Sequence, residues 1–302
     1  MRFGFYRLTF LAVSAALSFP ITSLASDLAK PRMHEKHEFM SFSYFGLGVD
    51  SMTYKESTNA YGMGINTKST ASVPVQRSGA YTAVNDQWGF GIFTVSSLYG
   101  EDNPESWKTK SFGTVQTNDV SLKRTDVTIT GVRQIGGGNY FSGGFNYSDF
   151  SFVRSNYKKT NTYDALVTSV GLDPTKTENQ PPSGSTSEES SSLNLMLGYG
   201  YDNYFKFENE GLRTFASVQA GVPLYRRVTN TTVDPVLTDF FASGYKAQLA
   251  AGLGWQFSEK LSVNYISEYS YTKLGEMQSG NVTMPETTLT IWNNSIIAYW
   301  NF

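Results

Sequence analysis

The segment that decides the fold is Tyr245-Lys246-Ala247-Gln248-Leu249-Ala250-Ala251-Gly252-Leu253-Gly254-Trp255-Gln256-Phe257. Its apolar residues fall on alternate positions (Tyr245, Ala247, Leu249, Ala251, Leu253, Trp255 and Phe257), and the residues between them are polar or small. Side chains of an extended chain point to opposite faces with period two, so this pattern is a strand with one greasy face and one wet face. Strands of soluble sandwiches run about five or six residues, whereas a strand tilted across a bilayer needs about 9–11. The length of this run therefore favours the membrane, with the apolar set toward lipid and the other set toward a lumen.

The pattern recurs in both directions along the chain. Leu193, Leu195, Leu197, Tyr199 and Tyr201 alternate with Asn194, Met196, Gly198, Gly200 and Asp202. Ala216, Val218, Ala220, Val222 and Leu224 oppose Ser217, Gln219, Gly221 and Arg227, and Leu261, Val263, Tyr265, Tyr269 and Tyr271 repeat the theme. Counting such runs gives about ten strands, give or take two, near 39–54, 66–83, 88–100, 117–135, 140–157, 192–205, 212–229, 242–257, 261–275 and 287–302. Connections alternate between short ones, such as Gly136 to Asn139 and Ser258 to Lys260, and long ones near 55–65, 101–116, 158–191, 230–241 and 276–286. Short periplasmic turns and long outside loops are the asymmetry of bacterial barrels, so both termini are expected in the periplasm. The fold expected is all-β: a transmembrane antiparallel up-and-down β-barrel over 39–302, with residues 158–191 as its long extracellular loop.

The chain's first residues read as an export signal. Arg2 and Arg7 precede an apolar stretch from Leu8 to Ile21, and Ser23 and Ala25 supply small residues for cleavage after Ala25. The stretch is shorter than the roughly 20 residues of a spanning helix, and Ser14, Ser18 and Pro20 interrupt it. Residues 1–25 are thus expected to be a signal peptide and 26–38 a periplasmic N-terminal segment.

The other end is Ile291-Trp292-Asn293-Asn294-Ser295-Ile296-Ile297-Ala298-Tyr299-Trp300-Asn301-Phe302, with Ile296, Ala298, Trp300 and Phe302 on one face. It resembles the last strand of bacterial outer-membrane β-barrel proteins, and the resemblance implies recognition by the barrel-assembly machinery through those four residues, with outer-membrane lipid as the surrounding partner. Ten strands are similar in number to omptin proteases and Opc-type adhesins, while an autotransporter-like solitary barrel has about twelve.

Composition narrows the chemistry. The chain has 302 residues and no cysteine, which removes thiol nucleophiles, thiolate metal sites and disulfides. A formal net charge of −2 leaves nothing electrostatic for nucleic acid to bind. Known barrel enzymes pair histidine with aspartate or serine, but His34 and His37 are the only histidines here and precede the first strand. No strand or loop can then supply an imidazole base, and no paired carboxylates stand out from loop acids such as Glu101, Asp102, Glu188 and Glu189. No catalytic residue, metal or cofactor is expected.

Two regions remain. Asp126, Asn194, Gln219, Arg227, Lys246, Gln248, Asn264 and Glu268 are candidates to face the lumen, lining a narrow path or plugging it. Barrels of about eight strands are just filled by side chains and open channels appear at sixteen or more, so packing is the expectation. The 158–191 connection is rich in serine and proline, with Tyr163, Leu166, Val167, Val170 and Leu172 as apolar content that a partner or the barrel mouth could cover. The functional expectation is a non-enzymatic structural or surface-interaction role carried by the loops, with an unknown surface ligand or phage as partner; the alternative is a narrow, porin-like pore.

Overall fold

Segments with period-two alternation on both neighbours can satisfy their backbone groups only by pairing side to side, and in lipid the sheet must close. The computed structural model describes residues 41–60, 63–203, 211–231, 233–279 and 282–302, all within the unit Phe39–Phe302. The signal peptide expected at 1–25, the segment 26–38, and His34 and His37 lie outside the described residues.

The strands are β1 (Phe42–Ala60), β2 (Met63–Ala83), β3 (Trp88–Ser97), β4 (Asp102–Thr109), β5 (Gly113–Gly136), β6 (Asn139–Lys159), β7 (Thr186–Asp202), β8 (Gly211–Asn230), β9 (Val233–Phe240), β10 (Gly244–Ser258), β11 (Leu261–Leu274), β12 (Met277–Ser279), β13 (Val282–Met284) and β14 (Glu286–Asn301), with one helix, α1 (Tyr163–Ser169). Ten of them form the wall in the order β1-β14-β11-β10-β8-β7-β6-β5-β3-β2, and β2 returns to β1. Closure is complete along β1: Phe42 pairs with Asn301 on one side and Tyr81 on the other, and the ladder with β2 continues to Ala60 opposite Met63. A closed ring has no free edge to recruit another chain.

The wall is taller than a membrane. β1, β2, β5, β6 and β8 contain 19, 21, 24, 21 and 20 residues, about twice the 9–11 that cross a bilayer. Outward-facing side chains mark where lipid ends. Phe45, Leu47 and Val49 on β1 are exposed, as are Leu195, Leu197 and Tyr199 on β7 and Leu249, Leu253 and Trp255 on β10. Beyond that belt the outward positions turn polar, to Ser51, Thr53 and Lys55 on β1 and to Glu189 and Ser187 on β7. The half of the barrel nearer the long connections therefore stands clear of the apolar belt. Among the described residues, no helix is long and apolar enough to cross a membrane.

Extra strand length replaces several expected loops. The 101–116 connection is largely wall: Val75 pairs with Ser97 and Lys68 with Ser106, so β4 continues β3 after a bulge at 98–101. The 230–241 connection folds back as β9 on the upper part of β8, and β12 and β13 form a small hairpin within 276–286. The long connection is shorter than 158–191, because β6 runs to Lys159 and β7 begins at Thr186, with Arg154 opposite Thr186. Residues 160–185 are what remains.

Candidate functional site: a tiered lumen and a built loop face

Inward side chains fill the barrel in four tiers, and β1 alone samples them all, through Tyr44, Asp50, Met52 with Tyr54, and Glu56. The first tier, at the short-turn end, is aromatic: Phe42, Tyr44, Tyr81, Val132, Ile266, Ile297 and Tyr299 pack with Phe93, Tyr140 and Phe215. The rings fit because glycines lie beneath them on adjacent strands. A Cβ on Gly200 would sit 2.3 Å from the Tyr140 ring, and one on Gly252 2.2 Å from Phe215. The Arg213 guanidinium lies 4.4 Å from the Tyr299 ring centre and donates to Asp202 at 3.1 Å.

The second tier is ionic. Arg124 donates from Nε to Asp50 Oδ2 at 2.6 Å and from Nη1 to Asp126. Lys246 Nζ reaches Asp126 Oδ1 at 2.9 Å and Asn146 Oδ1 at 2.8 Å, and Ser148 also donates to Asp126. Arg77 donates to Glu268 at 2.7 Å and to Asn293 at 2.8 Å, and Asn293 Nδ2 closes the circuit on Asp50 at 2.6 Å. Three cations oppose three carboxylates contributed by β1, β2, β5, β10 and β11, so the layer is neutral and tied across the lumen. Replacing a complete buried ion set by apolar residues can be neutral, but removing one partner costs about 3–5 kcal/mol. Such a layer fixes which strands face one another.

Above it lies an apolar tier of Met52, Tyr54, Ala71, Val73, Val120, Leu122, Phe150, Phe152 and Ile291. The fourth tier, beyond the belt, centres on Arg154, which donates to Glu105 Oε2 at 2.6 Å and Glu56 Oε2 at 2.9 Å and stacks 4.3 Å from the Phe152 ring centre. Asn118 donates to Glu105 at 2.8 Å, Trp107 Nε1 to Asn118 at 2.9 Å, and Tyr54 to Glu56 at 2.7 Å. Glu188 completes the rim and accepts from Asn230 at 2.9 Å. Burial, then the neighbouring Glu56 carboxylate, push the Glu188 carboxyl up to about 7.

Among the lumen candidates, Asp126, Lys246 and Glu268 meet in the second tier. Asn194 is buried beside them and donates to Ser192 at 3.1 Å. Asn264 is buried and donates to Ser262 at 3.2 Å. Gln219 and Gln248 are half-buried cross-strand neighbours. Arg227 is the exception. Leu193 pairs with Tyr225 but Asn194 with Pro223, so Leu224 is an extra residue that reverses the alternation. Arg226 is the buried residue, and its Nη1 donates to Gly275 O at 2.6 Å. At the C-terminus, Ile296, Trp300 and Phe302 are exposed, and Ala298 shares their face of β14.

Unanticipated members are Asp50, Arg77, Arg124 and Asn293 in the second tier and Glu56, Glu105 and Arg154 in the fourth. Each sits at the inward parity of its strand, which was the available signal. Among the described residues, no group of three or more His, Cys, Asp or Glu is arranged to hold a metal.

The long-loop end carries a second feature. Tyr163, Leu166, Val167, Val170 and Leu172 fold back over the β4–β5 hairpin and line, with Ile65, Trp107, Val115, Gln116, Glu178, Asn179 and Gln180, a half-open cleft of about 260 Å³. A shallower apolar groove of about 500 Å³ lies on the outer wall between Tyr199 and Trp292.

A closed ten-stranded antiparallel barrel with an apolar outer belt and a filled lumen defines the class: a transmembrane β-barrel of the bacterial outer-membrane kind. No protein-family model matches the chain, and no curated protein matches it in sequence. Among solved structures it is similar to the outer membrane protease OmpT from Escherichia coli, with a TM-score of 0.60 at 10% identity over 91% of this chain and 100% of that one. It is also similar to Ail, the attachment invasion locus protein of Yersinia pestis, with a TM-score of 0.35 at 11% identity over 87% of this chain and 100% of that one. The OmpT likeness establishes the fold and carries no activity across.

Proposed function

We propose that this is a non-enzymatic outer-membrane barrel whose role is surface contact through its long-loop face. In this reading the short-turn end and both termini face the periplasm, residues 1–25 direct export, and Ile296, Ala298, Trp300 and Phe302 form the strand that the assembly machinery engages. The observation that carries it is the contrast between the two ends of the wall. The lumen is tied shut by ionic and apolar tiers, while the connection 160–185, instead of hanging loose, is docked on the β4–β5 hairpin. Thr160 and Thr162 hydroxyls donate to Thr114 O at 2.7 and 2.9 Å, and Leu166 and Val167 are buried. Catalysis is disfavoured because all of the carboxylates in the tiers bond to arginine, lysine or amide donors and no histidine occurs after His37.

Deleting residues 161–184 and joining the ends with a short Gly-Ser linker removes this face without touching a wall strand. Cells displaying the deleted barrel are expected to lose adherence to epithelial monolayers or adsorption by a phage panel, while the purified protein keeps its heat-modifiable compact form. Equal binding by the full and deleted chains sinks the proposal.

A further inference from the structure

We propose that the outer wall of the barrel, above its apolar belt, binds a linear acidic polysaccharide of the cell's own surface layer along a row of lysines that crosses seven strands. The row is separate from the 160–185 connection, so this inference goes beyond the contact role of that face and does not depend on it.

Strand register lines the row up. Lys273 on β11 pairs with Thr288 on β14, Thr288 with Lys55 on β1, and Lys55 with Lys68 on β2. Lys68 then pairs with Ser106 on β4, Ser106 with Thr117 on β5, and Thr117 with Lys158 on β6. Directly paired residues point to the same face of a sheet, and Lys55, Lys68 and Lys158 are exposed on the outside. Six strand spacings of about 4.8 Å make the row roughly 29 Å long. Lys108, opposite Asn66, stands exposed two residues further along the same face.

The row holds no acid. Glu286 takes Lys273 at 3.0 Å, and Asp119, two residues from Thr117, accepts from Asn156 at 2.8 Å. Among the described residues, the exposed lysines in ion pairs are Lys159, Lys176 and Lys273, which leaves Lys55, Lys68, Lys108 and Lys158 unpaired. Lys55 and Lys68 lie directly opposite each other, with Cβ atoms about 5 Å apart, and like charges so placed destabilise a sheet. An acidic chain lying over both removes that repulsion and releases its own counterions on binding.

Geometry selects among polyanions. The hydroxyls of Thr288, Ser106 and Thr117 stand between the lysines and match the hydroxyls of sugars. No aromatic ring stands in the row, whereas single-stranded nucleic acid is held by rings on which its bases stack. Lipid headgroups all lie at one height, and the row does not. Hydrogen-bonded rows run perpendicular to the strands, and strands tilted about 35–45° make the row climb at a similar angle from the membrane plane. It starts beside Tyr245, an exposed belt residue paired with Lys273, and ends at Lys158, next to the last residue of β6. A polysaccharide can follow that slope. Because the wall faces sideways, the chain it meets is one rooted in the same membrane.

The test measures binding of octagalacturonate, its fully methyl-esterified form and digalacturonate to the full mature barrel in phosphatidylcholine nanodiscs. Octagalacturonate is expected to bind with an affinity that falls as salt rises, the neutral ester not to bind, and the dimer to bind at least about tenfold more weakly. Lys55→Gln with Lys68→Gln should weaken the octamer about tenfold or more and flatten its salt dependence, while Lys260→Gln, at a short turn, stays within about twofold. Deleting 161–184 should leave octamer binding intact, so failure of the loop reading and failure of this one are separable. Equal binding of ester and acid, equal binding of dimer and octamer, or unchanged affinity in the double variant overturns the inference. Loss of octamer binding when lipopolysaccharide is added to the discs would give the row to lipid headgroups and overturn it as well. If the double variant fails to show the heat-modifiable compact form, the three-ligand comparison on the unaltered protein decides alone.

Discussion

Glu188 shows how one inward carboxyl can set the behaviour of the rim. It projects beyond the apolar belt and faces Glu56 and Tyr54 from β1, Arg154 from β6 and Arg226 and Asn230 from β8, with burial holding its carboxyl up at about 7. A raised folded value means the folded rim binds a proton that the unfolded chain has released. Its contribution is therefore fully present below about pH 4.5, the ordinary value for glutamate, and is lost as pH rises toward 7. Amide exchange of residues 186–192 and 226–230 should be slower at pH 5 than at pH 8, by the equivalent of about 1–3 kcal/mol. Glu188→Gln keeps an acceptor for Asn230 and should flatten that dependence; an unchanged profile in the variant would assign it elsewhere. Legibility in the sequence divides at this scale. Lys246 and Glu268 are readable because each is a lone charge at the inward parity of a clean strand, and Asp126 because it falls at the inward parity of β5. Their partners Asp50, Arg77 and Arg124 occupy equally inward positions. What makes them a network is proximity across the lumen, between residues as far apart in sequence as Arg77 and Asn293, and period-two patterning carries no information about that.

Among the elements, strand number was legible and strand length was not. Lipid imposes a sharp apolar alternation on about ten residues of each strand, and those residues mark ten wall segments. Above the belt the outward face turns polar while the buried inward face carries charged and apolar residues alike, so the alternation fades, and β4 and β9 read as loops although the backbone continues to pair. Irregularities in the ladder are equally silent. The Leu224 bulge reverses parity beside Pro223, which has no N–H to donate, and Leu224 O accepts from Phe241 N at 2.8 Å where β9 ends. It is the reason Arg226 points inward and Arg227 does not. Arg226→Ala should lower the unfolding free energy of the detergent-refolded barrel by about 1–3 kcal/mol, the cost of leaving Gly275 O unpaired, while Arg227→Ala should stay within about 0.5 kcal/mol. The opposite ranking in urea titrations would mean that the strand runs without the bulge.

For the molecule as a whole, the question is whether a ten-stranded ring encloses a path. Ring size places the lumen near the limit at which side chains just fill it, and the tiers fill it by different chemistries stacked in series. Aromatic rings seated over glycines close the short-turn end, and the Asp50–Arg124–Asp126–Lys246 set spans the middle. Met52, Leu122, Phe150 and Phe152 close the level above. Stacked seals of this kind are redundant, because a lesion in one leaves water and ions facing the next. The unaltered protein is expected to show no steady conductance in a planar bilayer. The same holds for a variant carrying Asp50→Ser, Arg124→Ser, Asp126→Ser and Lys246→Ser together, which empties much of the ionic layer without leaving any of those four charges stranded. Adding Phe150→Ala, Phe152→Ala and Met52→Ala breaches the apolar level as well but leaves the aromatic level at the short-turn end in place, so this variant too is expected to carry no steady current. Steady single-channel currents from the unaltered barrel would show that the tiers part in the membrane and would move the functional site from the loops into the lumen. Currents from the four-serine variant alone would show that neither the aromatic nor the apolar level spans the lumen and that the ionic layer is its principal seal.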